Sequence, residues 1–190
     1  FLSTFRVEIF TTISALTTSG FSNSPIQGPT AVATVVPPVV IVGLILAGGS
    51  FASTTGGIRL NRIAMLFKQA QRELSRLTFP HGVRVLRLGT QRVDNSIIWS
   101  VWGYFFGFIL ALVAIALALA FFELEASTAI AAATVIISNA GPLLHAIVPE
   151  APKFVEMSEG AKITLIIGML AGRVELLALL SLLNPAFWNR

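Results

Sequence analysis

Ile97–Phe122 reads IIWSVWGYFFGFILALVAIALALAFF, 26 residues without a charge, held between Asp94 and Glu123. A helix of about 20 mainly apolar residues crosses the hydrocarbon core of a bilayer, so this stretch predicts a membrane span. Its Trp99, Trp102, Tyr104, Phe105 and Phe106 gather toward one end, where amphipathic rings anchor a span at headgroup level. The rest of the chain agrees. Of 190 residues, 55% are apolar and 12% charged, about half the ~25% charge of a soluble domain. Mean hydropathy is +0.82. That composition argues against both a water-soluble globule and a disordered chain.

Outward from this span lie two further candidates. Residues 33–58 start near Pro37-Pro38 and run apolar through Leu46, then turn small and polar over Ala47–Gly57 at membrane depth. Residues 163–183 are apolar but interrupted by Arg173 and Glu175. Two shorter stretches do not reach spanning length. Val7–Leu16 ends in Thr17-Thr-Ser-Gly-Phe-Ser22, and Ser127–Ile137 ends in Ser138-Asn-Ala-Gly-Pro142. Stretches of about 10–14 residues suit re-entrant segments, and each is followed by a glycine-containing turn and another span. Gly20 and Gly141 stand 121 positions apart, and Ile41–Gly49 resembles Ile166–Arg173 at an offset of 125 before a one-residue gap. The pattern predicts a duplicated unit of short re-entrant helix, loop and membrane helix. The fold class expected is an all-α integral membrane protein.

Charge sets the orientation. Segment 59–92 holds Arg59, Arg62, Lys68, Arg72, Arg76, Arg84, Arg87 and Arg92, eight of the thirteen basic residues. Lys/Arg-rich loops stay cytoplasmic, so this segment and the C-terminus lie inside, and both short loops enter from outside. The outer segment 123–160 carries five of the nine acids. Within 59–92, Ile63–Leu77 has apolar and basic residues at helical spacing, which suits a helix on the cytoplasmic membrane surface and contact with anionic lipid. The net charge of +4 is topological, and no nucleic-acid partner is expected. The chain starts at Phe1 without a signal peptide and reads as a piece of something longer.

In hydrocarbon, irregular backbone survives only where protein or a water-filled cavity covers it. The two loops therefore face a pathway or a packed interior. A run of carbonyls around a glycine can replace the hydration shell of a monovalent cation, with the negative end of the preceding helix aimed at it. Thr18-Ser-Gly-Phe21 reads as a degenerate relative of the potassium-channel TVGYG loop. Ordinary tight turns between packed helices are the alternative reading. Gly48–Gly57 breaks its helix and suits a plug beneath a filter, with small-residue helix packing or hydroxyl capping by Ser50, Ser53, Thr54 and Thr55 as alternatives. A mid-membrane arginine costs about 2.5–3.5 kcal/mol on insertion scales, so Arg173 points to the permeation path or to a paired charge. Glu175, two residues on, lies off its helix face. Arg173 and Glu175 near broken helices would also suit a proton- or sodium-coupled secondary transporter. An intramembrane hydrolase built on Ser50 or Ser53 lacks a histidine within reach, because His81 falls inside and His145 outside. There is no cysteine, hence no disulfide or thiolate chemistry, and neither histidine has zinc-ligand spacing beside it. No enzyme activity and no cofactor are expected, only a transported ion.

Five motifs in order complete the picture: Thr17–Ser22, Gly48–Arg59, Ser138–Pro142, Gly172-Arg-Val-Glu175 and Asn184-Pro-Ala-Phe-Trp188. Together they resemble the C-terminal half of the Trk/Ktr/HKT superfamily of potassium uptake proteins, most nearly its bacterial TrkH branch. The resemblance implies four helix–pore-loop–helix units in pseudo-fourfold array. Here residues 1–58 would supply the pore loop and second helix of unit three, 59–94 the cytoplasmic segment, and 95–190 unit four. Thr18, Ser19, Gly20 and Phe21 would be the third filter strand, and Asn139, Ala140, Gly141 and Pro142 the fourth. Potassium would meet the carbonyls of Thr18, Ser19, Gly20, Asn139, Ala140 and Gly141. The gate would be an intramembrane loop carrying Gly48, Gly49, Ser50, Ser53, Thr54, Gly56 and Gly57, faced by Arg173. The same resemblance implies potassium uptake, by pore or by symport, across the bacterial inner membrane. It also implies a homodimer, a missing N-terminal half and a cytosolic nucleotide-binding ring of the TrkA kind. Phe51 and Thr55 depart from the smaller residues usual in that loop.

Overall fold

The computed structural model describes residues 2–21, 36–49, 56–78, 87–88, 91–92 and 95–173. Within them the chain is helical: α1 Leu2–Leu16, α2 Pro38–Ala47, α3 Leu60–Thr78, α4 Asn95–Phe121, α5 Ala126–Ile137, α6 Leu144–Ile147 and α7 Glu159–Arg173. A short 3₁₀ turn, Gly141–Leu143, leads into α6. The one departure from an all-helical reading is a two-residue antiparallel ladder, Arg87–Leu88 against Gln91–Arg92. It sits in the basic segment.

Among the described residues, α4 alone is long and apolar enough to cross a membrane. Its buried residues, Ile98, Val101, Tyr104, Phe108, Ile115, Ala116 and Leu119, fall on one face of the helix. Trp99, Phe106, Leu110, Leu117 and Phe121 are exposed on the other side, as an apolar helix in lipid allows. Residues 33–58 do not form one continuous span. Pro38, with φ preset and no N–H to satisfy, opens α2, and Gly48 at φ 63° closes it after ten residues. The chain then returns on itself: Ile58 N–H bonds Leu46 O at 2.9 Å, and Leu60 N–H bonds Gly49 O at 3.2 Å. Residues 48–57 therefore make an excursion whose two ends touch. The span expected over 163–183 begins earlier, at Glu159, and is described as far as Arg173. Glu175 and the motif at 184–188 lie outside the described residues, as does His81.

The centre of the fold is α5, which packs against α4, α7 and α2. Thr128, Ala129 and every residue from Ala131 to Ile137 are buried. A helix apolar all round belongs in an interior, and its alanines let three neighbours approach closely. By contrast the described side chains of α1 bury one stripe, Val7, Thr11, Ser14 and Ala15, at the i, i+4, i+7, i+8 spacing of a single face.

Candidate functional site

The helix ends of α1 and α5 stop in the same way, 121 positions apart. Thr17, Thr18 and Ser19 donate to the carbonyls of Ile13, Ala15 and Ser14, and Ser138, Asn139 and Ala140 donate to those of Thr134, Ile136 and Val135. Each set is a Schellman closure, with its 6→1 and 5→2 bonds around one left-handed residue. That residue is Thr18 at φ 47° in the first loop and Asn139 at φ 57° in the second. Asparagine tolerates this region, whereas a β-branched residue there is an outlier. The closure is not confined to the two loops, since α4 ends likewise at Glu123.

After the closure the loops diverge. Gly20 takes φ 79°, and its Cα lies so near the second loop that an added Cβ would sit 3.0 Å from Pro142 Cδ. The two loops thus abut. Gly141 has no positive φ and opens the 3₁₀ turn, in which Ala140 O and Gly141 O accept from the Leu143 and Leu144 N–H groups. Each carbonyl keeps a second lone pair. Among the described residues, no backbone N–H bonds the Thr18, Ser19 or Gly20 carbonyls. Thr18, Gly20, Ala140 and Gly141 are buried, Asn139 is half-buried, and Ser19, Phe21 and Pro142 are exposed. Ser138 is fully buried, and its hydroxyl has no hydrogen-bond partner among the described residues.

The exit of the 48–57 excursion wedges between these loops. Gly56 N–H donates to Thr18 Oγ1 at 3.0 Å, and a Cβ on Gly56 would collide with the Ser138 carbonyl. Gly48 and Gly57 close the excursion's base, with positive φ at both. Ser50, Ser53 and Thr54, expected in the gate, lie outside the described residues. Arg173 is exposed at the last described position of α7.

Sequence reasoning missed two residues here. Tyr104 reads as one of several interfacial aromatics, yet it is 5% exposed and its hydroxyl donates to Gly57 O at 3.3 Å. Arg62 reads as topogenic, and its guanidinium lies 3.7 Å over the Tyr104 ring. A signal was present: Tyr104 is the single tyrosine, set inside an apolar helix, and a buried phenol needs a partner for its hydroxyl. At the far end of α5 a cleft of about 480 Å³ is lined by Glu123, Glu125, Glu150 and Glu156, with Thr128 and Ser158.

These features can be set beside known proteins. The family model described as TrkH, cation transport protein, matches residues 3–187. The Trk system potassium uptake protein TrkH of Salmonella typhimurium is 35% identical over 189 residues, which is 99% of this chain and 38% of that protein. TrkH of Escherichia coli K12 matches to the same extent. The crystal structure of the potassium transporter TrkH from Vibrio parahaemolyticus superposes with a TM-score of 0.75 at 32% identity, covering 95% of this chain and 37% of that one. The chain therefore spans well under half the length of the relatives it matches.

Proposed function

The chain belongs to the TrkH family of cation transport proteins, and from that membership we propose that it forms part of a potassium uptake pore of the bacterial inner membrane. In this reading residues 1–58 and 95–190 are parts of two successive pore-loop units, and 59–94 faces the cytoplasm. The observation that carries it is the meeting of three polar backbone segments in one buried place. The loops after α1 and α5 abut at Gly20 and Pro142, and the exit of the 48–57 excursion is wedged between them at Gly56. Irregular backbone at membrane depth needs a pathway or a protein cover, and the carbonyls of Thr18, Ser19 and Gly20, which no backbone N–H bonds among the described residues, suit a dehydrated monovalent cation. The excursion acts as the gate, with Arg173 steadying it from α7. The rest of the parent protein supplies the other sides of the pore. A second copy and a cytosolic ring of the TrkA kind complete and regulate it. The work is transport, so no catalytic residue and no cofactor are assigned.

Rubidium uptake by the parent protein, in cells lacking other potassium uptake, tests the gate. Arg173→Ala is expected to retain or raise uptake, because a gate residue restrains flux. Abolished uptake in that variant, with normal uptake in loop-glycine variants, would instead favour an ion-coupled transporter that uses Arg173 and Glu175.

The acidic cleft adds a second expectation. Carboxylates lining a concave mouth raise the local cation concentration, and salt screens that field over about 10 Å at 0.1 M. Converting Glu123, Glu125, Glu150 and Glu156 together to glutamine should raise the half-saturating rubidium concentration about three- to tenfold at low ionic strength. At 0.5 M of an impermeant salt the difference should vanish. A shift that persists at high salt would mean the glutamates act by contact or by fold.

A further inference from the structure

Thr18 holds a backbone conformation that its residue type disfavours. A non-glycine residue in a sparsely populated region persists only where its surroundings over-determine it, and such residues cluster at functional switches. The twin closure on α5 uses asparagine at this point, which adopts φ above zero with less strain. The Asn139 amide nitrogen is buried with no hydrogen-bond partner among the described residues. Thr18 is 7% exposed, and its Oγ1 accepts the Gly56 N–H at 3.0 Å. Glycine would give the same turn without strain, yet it would leave the Gly56 N–H unbonded in a buried place. The strain and the bond therefore have one explanation.

We infer that the Thr18 side chain is a latch joining the third pore loop to the intramembrane excursion. Its main chain serves the loop, its hydroxyl holds Gly56 at the excursion's exit, and any displacement of Gly56 from the loop must break that bond. This inference rests on the pore reading above and gives the loop after α1 a task that no side chain of the loop after α5 performs among the described residues. Gly56 is the matching half. Its N–H reaches Thr18, and its missing Cβ lets the same residue lie against the Ser138 carbonyl of the other loop. Tyr104 steadies the next residue by bonding Gly57 O, so the exit is tied at two consecutive positions.

The test is rubidium and sodium uptake by the full-length parent carrying Thr18→Gly, Thr18→Val or Thr18→Ser. Losing one net hydrogen bond shifts a two-state equilibrium about two- to tenfold, so the glycine and valine variants should take up rubidium about two to ten times faster. Their preference for rubidium over sodium should stay within about twofold of the parent's, since the main-chain carbonyls remain. Serine keeps the acceptor oxygen and should bring the rate back down toward the parent's. The glycine variant needs no strained backbone, so it reports even if valine misfolds. Slower or unselective uptake in Thr18→Gly would overturn the latch and leave Thr18 a pore-loop ligand alone. A serine variant as fast as the glycine one would overturn it too. A parent that takes up no rubidium would overturn the pore reading itself, and the latch with it.

Discussion

Gly20→Ala should cut rubidium uptake by the parent about tenfold or more, while Gly141→Ala stays within about threefold. The two glycines occupy matching places in the sequence pattern but not in the backbone. Gly20 sits at φ 79°, where an L-residue costs roughly 1–2 kcal/mol. Its added Cβ would also press on Pro142 Cδ at 3.0 Å, and the rigid pyrrolidine ring cannot swing away as a flexible side chain can. Relief requires the loops to separate, which displaces the Thr18, Ser19 and Gly20 carbonyls that the pore reading gives to the ion. A filter built from oriented dipoles loses discrimination with that displacement, so sodium should enter the Gly20→Ala variant relatively more easily. Gly141 faces no such strain. Its added Cβ would meet Ile136 Cδ1 and Met169 Cε at 3.7 Å, ordinary contact with two adaptable side chains. Equal losses in both variants would mean that Gly141 lines the ion path as tightly as Gly20, and that the loop asymmetry has no functional weight.

Much of this arrangement is legible in the sequence, for identifiable reasons. The 26 uncharged residues at Ile97–Phe122 need no context to be read as a helix, and α4 runs from Asn95 to Phe121. The short stretches before Thr17 and Ser138 end where glycine and hydroxyl residues take over, and α1 and α5 end there too. The polar run after Ala47 announces a broken helix, and α2 stops at that residue. Apolar and basic residues at helical spacing put Ile63–Leu77 on a helix, and α3 covers it.

What the sequence hid is pairing across distance. Nothing local tells that Gly56 meets Thr18, that Tyr104 meets Gly57, or that Arg62 lies over Tyr104. Each joins residues dozens of positions apart, and each depends on how four helices meet. Backbone conformation was hidden for a related reason. Gly20 and Gly141 look alike as letters, yet the following residues differ. Pro142 and Leu143 carry the second loop into a 3₁₀ turn, since proline at the start of a helical turn is preset in φ and lacks an N–H to satisfy. Phe21 offers no such push. Thr18 stands out in the sequence only by its place two residues before Gly20, and its left-handed φ is not legible in a residue type that avoids that region.

The 190-residue chain by itself, purified and placed in liposomes, should give no rubidium-selective flux above empty vesicles. On the pore reading its two loops, which abut at Gly20 and Pro142, supply only part of the lining, whereas selectivity filters of this kind are rings of carbonyls contributed from all around an ion. The helices state the same incompleteness. Opposite its buried stripe, α1 exposes Phe5, Ile9, Phe10, Ile13 and Leu16, and Phe21 at its loop is 70% exposed. Lipid could cover those apolar side chains, but it cannot satisfy the polar loop backbone that follows them, and an unpaired backbone group in hydrocarbon costs several kcal/mol. The loop after α1 needs protein or water on its open side, and the match to only 38% of the Salmonella and Escherichia coli TrkH proteins leaves room for that protein in the parent. α5 has no such need, being enclosed by α2, α4 and α7, so it should keep its helix in the isolated chain while α1 frays. Circular dichroism with proteolysis would show cleavage beginning near α1. Saturable rubidium flux from the isolated chain would overturn this picture, and its dependence on density would say how. Flux rising with the square of chain density would mean that two copies close one ring of four loops. Flux rising linearly would mean that two loops suffice, and that the filter reading of both loops is mistaken.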